Sequence, residues 1–230
     1  KKGNYFALLL LIKLKSKSQY NFMKKILSGF NKFQTEVFVK KKFLFSKLAN
    51  NQTPEILFIT CSDSRIDPNL ITQAEPGDLF VVRNAGNIIP PPSTTPEGIS
   101  ASIEFAVNAL GVKHIIVCGH SDCGAMKGVI DTSILKKLQN VKKWLSYSRD
   151  LINDPKSIND IESAAKLNVL LQIHHLLLHP FISEKIKSKT INIHGWYYDI
   201  GLGSMKVYDD SKDFFIPISE HYKNHKSIKE

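Results

Sequence analysis

Residues 56–65 read I-L-F-I-T-C-S-D-S-R, and residues 114–124 read H-I-I-V-C-G-H-S-D-C-G. Each stretch opens on an unbroken apolar run, short and rich in β-branched residues, as in a strand covered on both faces. Each then turns into a cluster of thiol, imidazole and carboxylate groups. Residues 79–82, 190–198 and 206–208 predict further strands. Helical patterns lie between them. Thr94, Thr95, Pro96 and Glu97 form a capping-box signal for a helix running to Leu110 and closed by Gly111. Others are expected over 124–130, 135–149 and 161–178, the last ended by His179-Pro180. Strands alternating with helices imply an α/β fold with a mainly parallel central sheet flanked by helices. Functional groups in such sheets gather beyond the carboxyl ends of the strands, where both clusters fall.

Working outward, residues 24–48 place Phe30, Phe33, Val37, Phe38, Phe43 and Phe45 at helical intervals among lysines, an N-terminal arm of one or two amphipathic helices. Residues 1–22 precede the first methionine, Met23. Their apolar run is short and is followed at once by Lys13, Lys15 and Lys17, so they read as a disordered or upstream extension and not as a secretory signal. The expected organisation is therefore an extension over 1–22 and one catalytic domain over 23–230 that includes the arm.

The 230 residues carry a net charge of +10, but the charge is local: residues 1–50 hold 12 lysines against Glu36, and the rest holds 19 basic against 20 acidic residues. Arg65, Arg83 and Arg149 are the only arginines, poor material for reading nucleic acid. Nucleic-acid binding is not expected, nor is membrane association. Three cysteines are too few for a disulfide framework, which points to a reducing compartment, the cytoplasm, and to metal or catalytic roles.

Cys61, His120 and Cys123 form the mixed thiol and imidazole set that zinc prefers, and the H-x-x-C spacing lets one tight turn present two of them. Three protein ligands leave a fourth position for water or substrate. Taken singly, a cysteine is more often a small buried hydrophobe, and that is the reading for Cys118, inside a strand. Asp63 and Arg65 follow Cys61 at intervals of two, so a charge-assisted pair would hold the carboxylate as an acceptor beside the metal. His174, His175 and His179 include an i, i+4 pair, but packing or a helix end explains them better. His194 reads as a satisfied core histidine.

These residues resemble the β-class carbonic anhydrases, zinc lyases. The resemblance rests on C-S-D-S-R at 61–65, G-H-S-D-C-G at 119–124, P-G-D-L-F-V-V-R-N-A-G-N at 76–87, E-G-I-S-A-S-I-E-F-A-V at 97–107 and I-H-G-W at 193–196. It implies one zinc per chain on Cys61, His120 and Cys123, with Asp63 and Arg65 as the catalytic dyad. It also implies a homodimer or higher homo-oligomer with pockets at the subunit interface. The implied reaction is reversible hydration of carbon dioxide to bicarbonate and a proton by zinc-hydroxide attack. Carried over by position, Gln52 and the Gly124 N–H would hold substrate oxygen, and Phe80, Ala85 and Phe105 would form the apolar wall. The family more often has a bulkier aliphatic at Ala85 and a tyrosine at Phe105. Regulated members place a tryptophan three residues before the first zinc cysteine and a glycine one before it. Here those positions hold Phe58 and Thr60, although Arg83 is present, so the resemblance is to the non-allosteric plant and cyanobacterial type. Rival readings are hydrolysis of carbonyl sulfide or carbon disulfide on the same site, and a silent zinc scaffold with Asp63 as fourth ligand.

Overall fold

The structure, a computed structural model, describes residues 17–93, 97–153, 158 and 160–221. The chain divides into two compact units, Lys1–Asn51 and Gln52–Glu230. In the first, helix α1 spans Lys17–Lys32, a π-helical turn covers Phe33–Val37, and α2 (Phe38–Lys40) and α3 (Lys42–Leu48) follow. The start at Lys17 lies ahead of the one expected from periodicity. Its aromatic residues pack on one another: the Phe33 ring lies 5.7 Å from Phe45 and 6.2 Å from Phe38. Of the extension expected over 1–22, residues 1–16 lie outside the described residues, as do Thr94, Thr95 and Pro96 of the expected capping box, while residues 17–22 open α1 instead.

The second unit is built on a six-stranded sheet of order β2-β1-β3-β4-β5-β6. Strands β1 (Ile56–Cys61), β2 (Leu79–Asn84), β3 (His114–His120) and β4 (Asn192–Asp199) are parallel, and β5 (Ser204–Asp209) and β6 (Phe214–Pro217) add antiparallel edges. The continuous apolar runs have the expected cause. Leu57, Ile59, Ile115 and Val117 enter one core with Ile103, Val169 and Leu176, while Phe58, Ile116 and Cys118 enter a separate cluster with Ile71, Val81 and Trp196. Successive residues thus serve opposite faces of the sheet, and both faces are covered.

Helix α4 (Pro68–Thr72), too short for a periodic signal, starts on Asp67, whose side chain accepts from the Leu70 N–H. Helix α5 (Gly98–Glu104) runs into a π-helical turn over Phe105–Ala109, and Gly111 at φ +70° ends it as expected. Helix α6 spans Gly124–Ile130. The helix expected over 135–149 is broken instead. A 3-10 turn at Thr132–Leu135 begins on the Asp131 side chain, then come α7 (Gln139–Trp144) and a 3-10 segment, Leu145–Asn153. The reason is packing on α6. A Cβ on Gly128 would sit 2.9 Å from Leu135 and 3.1 Å from Leu145, so both leucines close on one glycine. A straight helix would hold them about 15 Å apart.

Helix α8 is found over Ile161–Leu178 as expected, and the residue before Pro180 is extended, with Pro180 opening α9 (Pro180–Lys187). No described helix is long and apolar enough to cross a membrane.

Candidate metal centre

The three candidate ligands arrive on three local devices. Cys61 ends β1, His120 ends β3, and Cys123 caps the N-terminus of α6 with extended backbone. The register sets Cys61 against Asn84 and Thr60 against Cys118, so β1 and β3 end side by side. The turn between His120 and Cys123 is pinned to β4: the Ser121 N–H donates to the Tyr198 carbonyl at 2.9 Å, and the Ile200 N–H donates to the Ser121 hydroxyl at 2.9 Å. Asp122 takes a left-handed conformation, φ +55°, to complete it.

One donor atom from each of Cys61, His120 and Cys123 lies within 4.8 Å of the others, and all three residues are buried. It is the only such group of three among the described residues. The His120 Nδ1–H donates to the Ser121 carbonyl at 2.8 Å, which leaves the lone pair on Nε2. That Nε2 is buried and has no hydrogen-bond partner. The hydrogen bond from Cys123 holds the Cys61 thiol far below its usual range, and the same contact, with burial, pushes Cys123 up. The two sulfurs thus meet beside the orphaned imidazole nitrogen. This donor set fits one zinc ion, which bonds sulfur at about 2.3 Å and nitrogen at about 2.0–2.1 Å. Cys118 is fully buried, its thiol pushed up to about 12 by burial, the inert role expected of it.

Asp63 and Arg65 meet as expected. Arg65 Nε donates to Asp63 Oδ1 at 2.9 Å and Nη2 to Oδ2 at 2.8 Å, a two-pronged clamp to which the Arg65 backbone N–H adds a third bond. This holds the Asp63 carboxyl well below the usual carboxylate range. Asp63 Oδ2 stands 4.0 Å from His120 Nε2, beside the donor group and not within it. Arg83 holds the backbone beneath, donating to the Cys61 carbonyl at 3.1 Å and the Asp63 carbonyl at 2.7 Å. Arg65 also donates to the Asp122 side chain at 3.2 Å, and Asp122 pairs with Lys127.

Of the expected substrate contacts, Ala85 and Gly124 line a cleft of about 350 Å3 with Cys61 and Asp63. Its outer wall includes Ile134 and Leu138, which sit in the irregular stretch found after α6 in place of the expected helix. Gln52, Phe80 and Phe105 do not line this cleft. Gln52 is exposed, and Phe80 pairs with Leu57, four residues or about 13 Å before Cys61 on β1. The Phe80 ring packs at 6.1 Å from Phe105, whose exposure is 47%. His194 contacts His114, Nε2 to Nδ1, at 3.1 Å. His175 and His179 contact backbone carbonyls of Ile89 and Pro90, so they are not a metal pair.

A mainly parallel sheet flanked by helices, with a Cys-His-Cys donor group at adjoining strand ends, defines the class, and comparison with known proteins gives the family. The family profile described as carbonic anhydrase matches residues 56–205. A carbonic anhydrase of Pseudomonas aeruginosa is 42% identical over 205 residues, covering 86% of this chain and 93% of that protein. One of Synechocystis is 44% identical over 206 residues, with coverage of 86% and 75%. Among solved structures, the β-carbonic anhydrase CcaA superposes with a TM-score of 0.81 at 42% identity, covering 85% of this chain and 99% of that one. A tetrameric β-carbonic anhydrase of Sordaria macrospora superposes with a TM-score of 0.72 at 35% identity, with coverage of 81% and 96%. The chain belongs to the β-carbonic anhydrase family of enzymes.

Proposed function

We propose that the chain catalyses the reversible hydration of carbon dioxide to bicarbonate and a proton, with one zinc ion held by Cys61, His120 and Cys123. The observation that carries this is the convergence of two sulfurs and the orphaned His120 Nε2 beside a carboxylate whose oxygens are both engaged by Arg65. Zinc bound there supplies the Lewis acidity that lets water ionise near neutral pH. The remaining work falls to the chain. Asp63, kept as a carboxylate by Arg65, accepts the hydrogen of the attacking oxygen and so turns a lone pair toward the carbon. Ala85, Ile134 and Leu138 would offer apolar surface to carbon dioxide, and the N–H of Gly124, an exposed residue at the start of α6 that lines the same cleft, would donate to an oxygen of bicarbonate. The Arg65 clamp also supports catalysis over the scaffold reading, in which Asp63 would be a ligand. Gln52 and the exposed Phe105, packed on the half-buried Phe80, fit a wall completed between copies of the chain, hence a homo-oligomer; the tetrameric Sordaria relative is in keeping with this.

The test is stopped-flow carbon dioxide hydration with zinc quantification on the same preparation. Replacing Cys123 with Ala is expected to abolish both zinc content and hydration. Full zinc retention by that variant would overturn the ligand assignment.

A further inference from the structure

Helix α8 is apolar around most of its circumference, yet Asn168, Gln172 and His175 are buried on it, and His179, the extended residue that ends it, is buried too. The spacing of four and three residues places the first three on one face. Buried polar side chains persist only where each finds a partner, and here all four partners belong to one backbone segment, 86–90, itself buried throughout. Asn168 Nδ2 donates to the Gly86 carbonyl at 2.8 Å. The Ile89 N–H donates to Gln172 Oε1 at 2.7 Å. The His175 Nδ1–H donates to the Ile89 carbonyl and the His179 Nε2–H to the Pro90 carbonyl, each at 3.0 Å. Gln172 and Ser148 both donate to Asn168 Oδ1, at 2.9 and 2.8 Å, which fixes the amide that grips Gly86. From the other side, Asn84 receives the Ile88 N–H at 2.7 Å and donates to the Ile88 carbonyl at 2.8 Å.

What this fastening presents is the Gly86 N–H, which donates to Cys61 Sγ at 3.4 Å. Gly86 has φ +85°, and a Cβ there would meet Ala125 at 3.0 Å and Met126 at 3.4 Å, so the residue is wedged between the rail on α8 and the first turn of α6. We infer that the polar face of α8 is a positioning device for the metal centre: through Asn168 and His175 it sets the Gly86 N–H against the Cys61 sulfur and so governs how firmly the site holds its metal. A donor fixed on a ligating sulfur holds it in the orientation the metal needs, and loss of such outer contacts typically costs about 10–100-fold in metal affinity. The inference rests on the zinc reading above and adds to it residues remote from the cleft.

The test uses the full-length chain loaded with zinc, and in parallel with cobalt. Asn168→Asp keeps the acceptor for Ser148 and Gln172 but puts an oxygen against the Gly86 carbonyl. His175→Leu removes the donor to Ile89, and His175→Asn restores an N–H where Nδ1 stood. Val107→Ala, a cavity in the same core, controls for simple destabilisation. The first two variants are expected to release zinc to a chromogenic chelator about tenfold faster or more, and to shift the sulfur-to-cobalt charge-transfer band. His175→Asn and Val107→Ala should stay close to the unaltered chain in both. If Asn168→Asp does not fold, the His175 pair decides. Unchanged release by His175→Leu, or equal acceleration by Val107→Ala, would overturn the inference while leaving the zinc assignment intact. An unaltered chain that takes up neither metal would overturn both.

Discussion

Asp63 illustrates how much of the site depends on one contact. Its carboxylate is clamped through both oxygens by Arg65, so it stays ionised and stays out of the donor group. Replacing Asp63 with Asn is therefore expected to lower turnover far more than zinc content; equal losses of both, measured on one preparation, would place Asp63 among the ligands. A second residue-scale expectation concerns regulation. Phe58 is fully buried with its ring edge-on to Trp196 at 6.0 Å, and Thr60, also fully buried, donates to the Cys118 carbonyl. Neither offers an indole N–H or the space a glycine leaves for an anion. Initial rates against bicarbonate, at fixed pH and ionic strength, should therefore fall without cooperativity, and a sigmoidal fall would contradict this. Much of the residue chemistry was legible because Cys61, Asp63, Arg65, His120 and Cys123 lie in two short segments. Asn168 and Gln172 were not, since a polar residue in an apolar helix carries no local sign of the backbone it will meet.

At the level of elements, α8 shows what local chemistry decides and what it leaves to packing. Its N-terminus is set by Asp160, which accepts the Ser163 N–H at 2.7 Å and whose carboxyl is thereby held below its usual value. Asp160→Ala should lower stability by ~1 kcal/mol, within the range for lost caps, or about 2–4 °C in melting temperature for a chain of this size. A group with a depressed folded-state pKa stabilises fully above its unfolded value and loses that contribution as pH falls through the folded one. The gap between variant and parent should thus close in acid, below about pH 4, which melting curves from pH 7 to pH 3 would show. The C-terminal end of α8 was readable from His179-Pro180. The broken stretch 132–153 was not, because Gly128 on the preceding helix decides that Leu135 and Leu145 must fold back on it. Strand β6, four residues at an edge, was too short to leave a pattern.

Across the whole molecule, the arm is basic and the unit that carries the donor group is nearly neutral. Residues 1–22 carry none of the matched segments, so a chain beginning at Met23 is expected to hydrate carbon dioxide at the parent rate; a soluble but inactive truncation would refute this. Removing residues 23–48 as well should change the assembly state by light scattering, because Ile26, Leu27 and Phe30 are exposed apolar residues of the arm. The pairing of β1 with β3 has a consequence for how the protein matures. The donors at 61 and 120 are brought together only by strand register, and a slip of one residue would send Cys61 to the opposite face of the sheet. A nascent chain with mispaired strands has sulfurs and imidazole but no place where they meet. Zinc uptake should therefore lag behind sheet formation during refolding, so that the metal marks chains whose strands have found their correct neighbours.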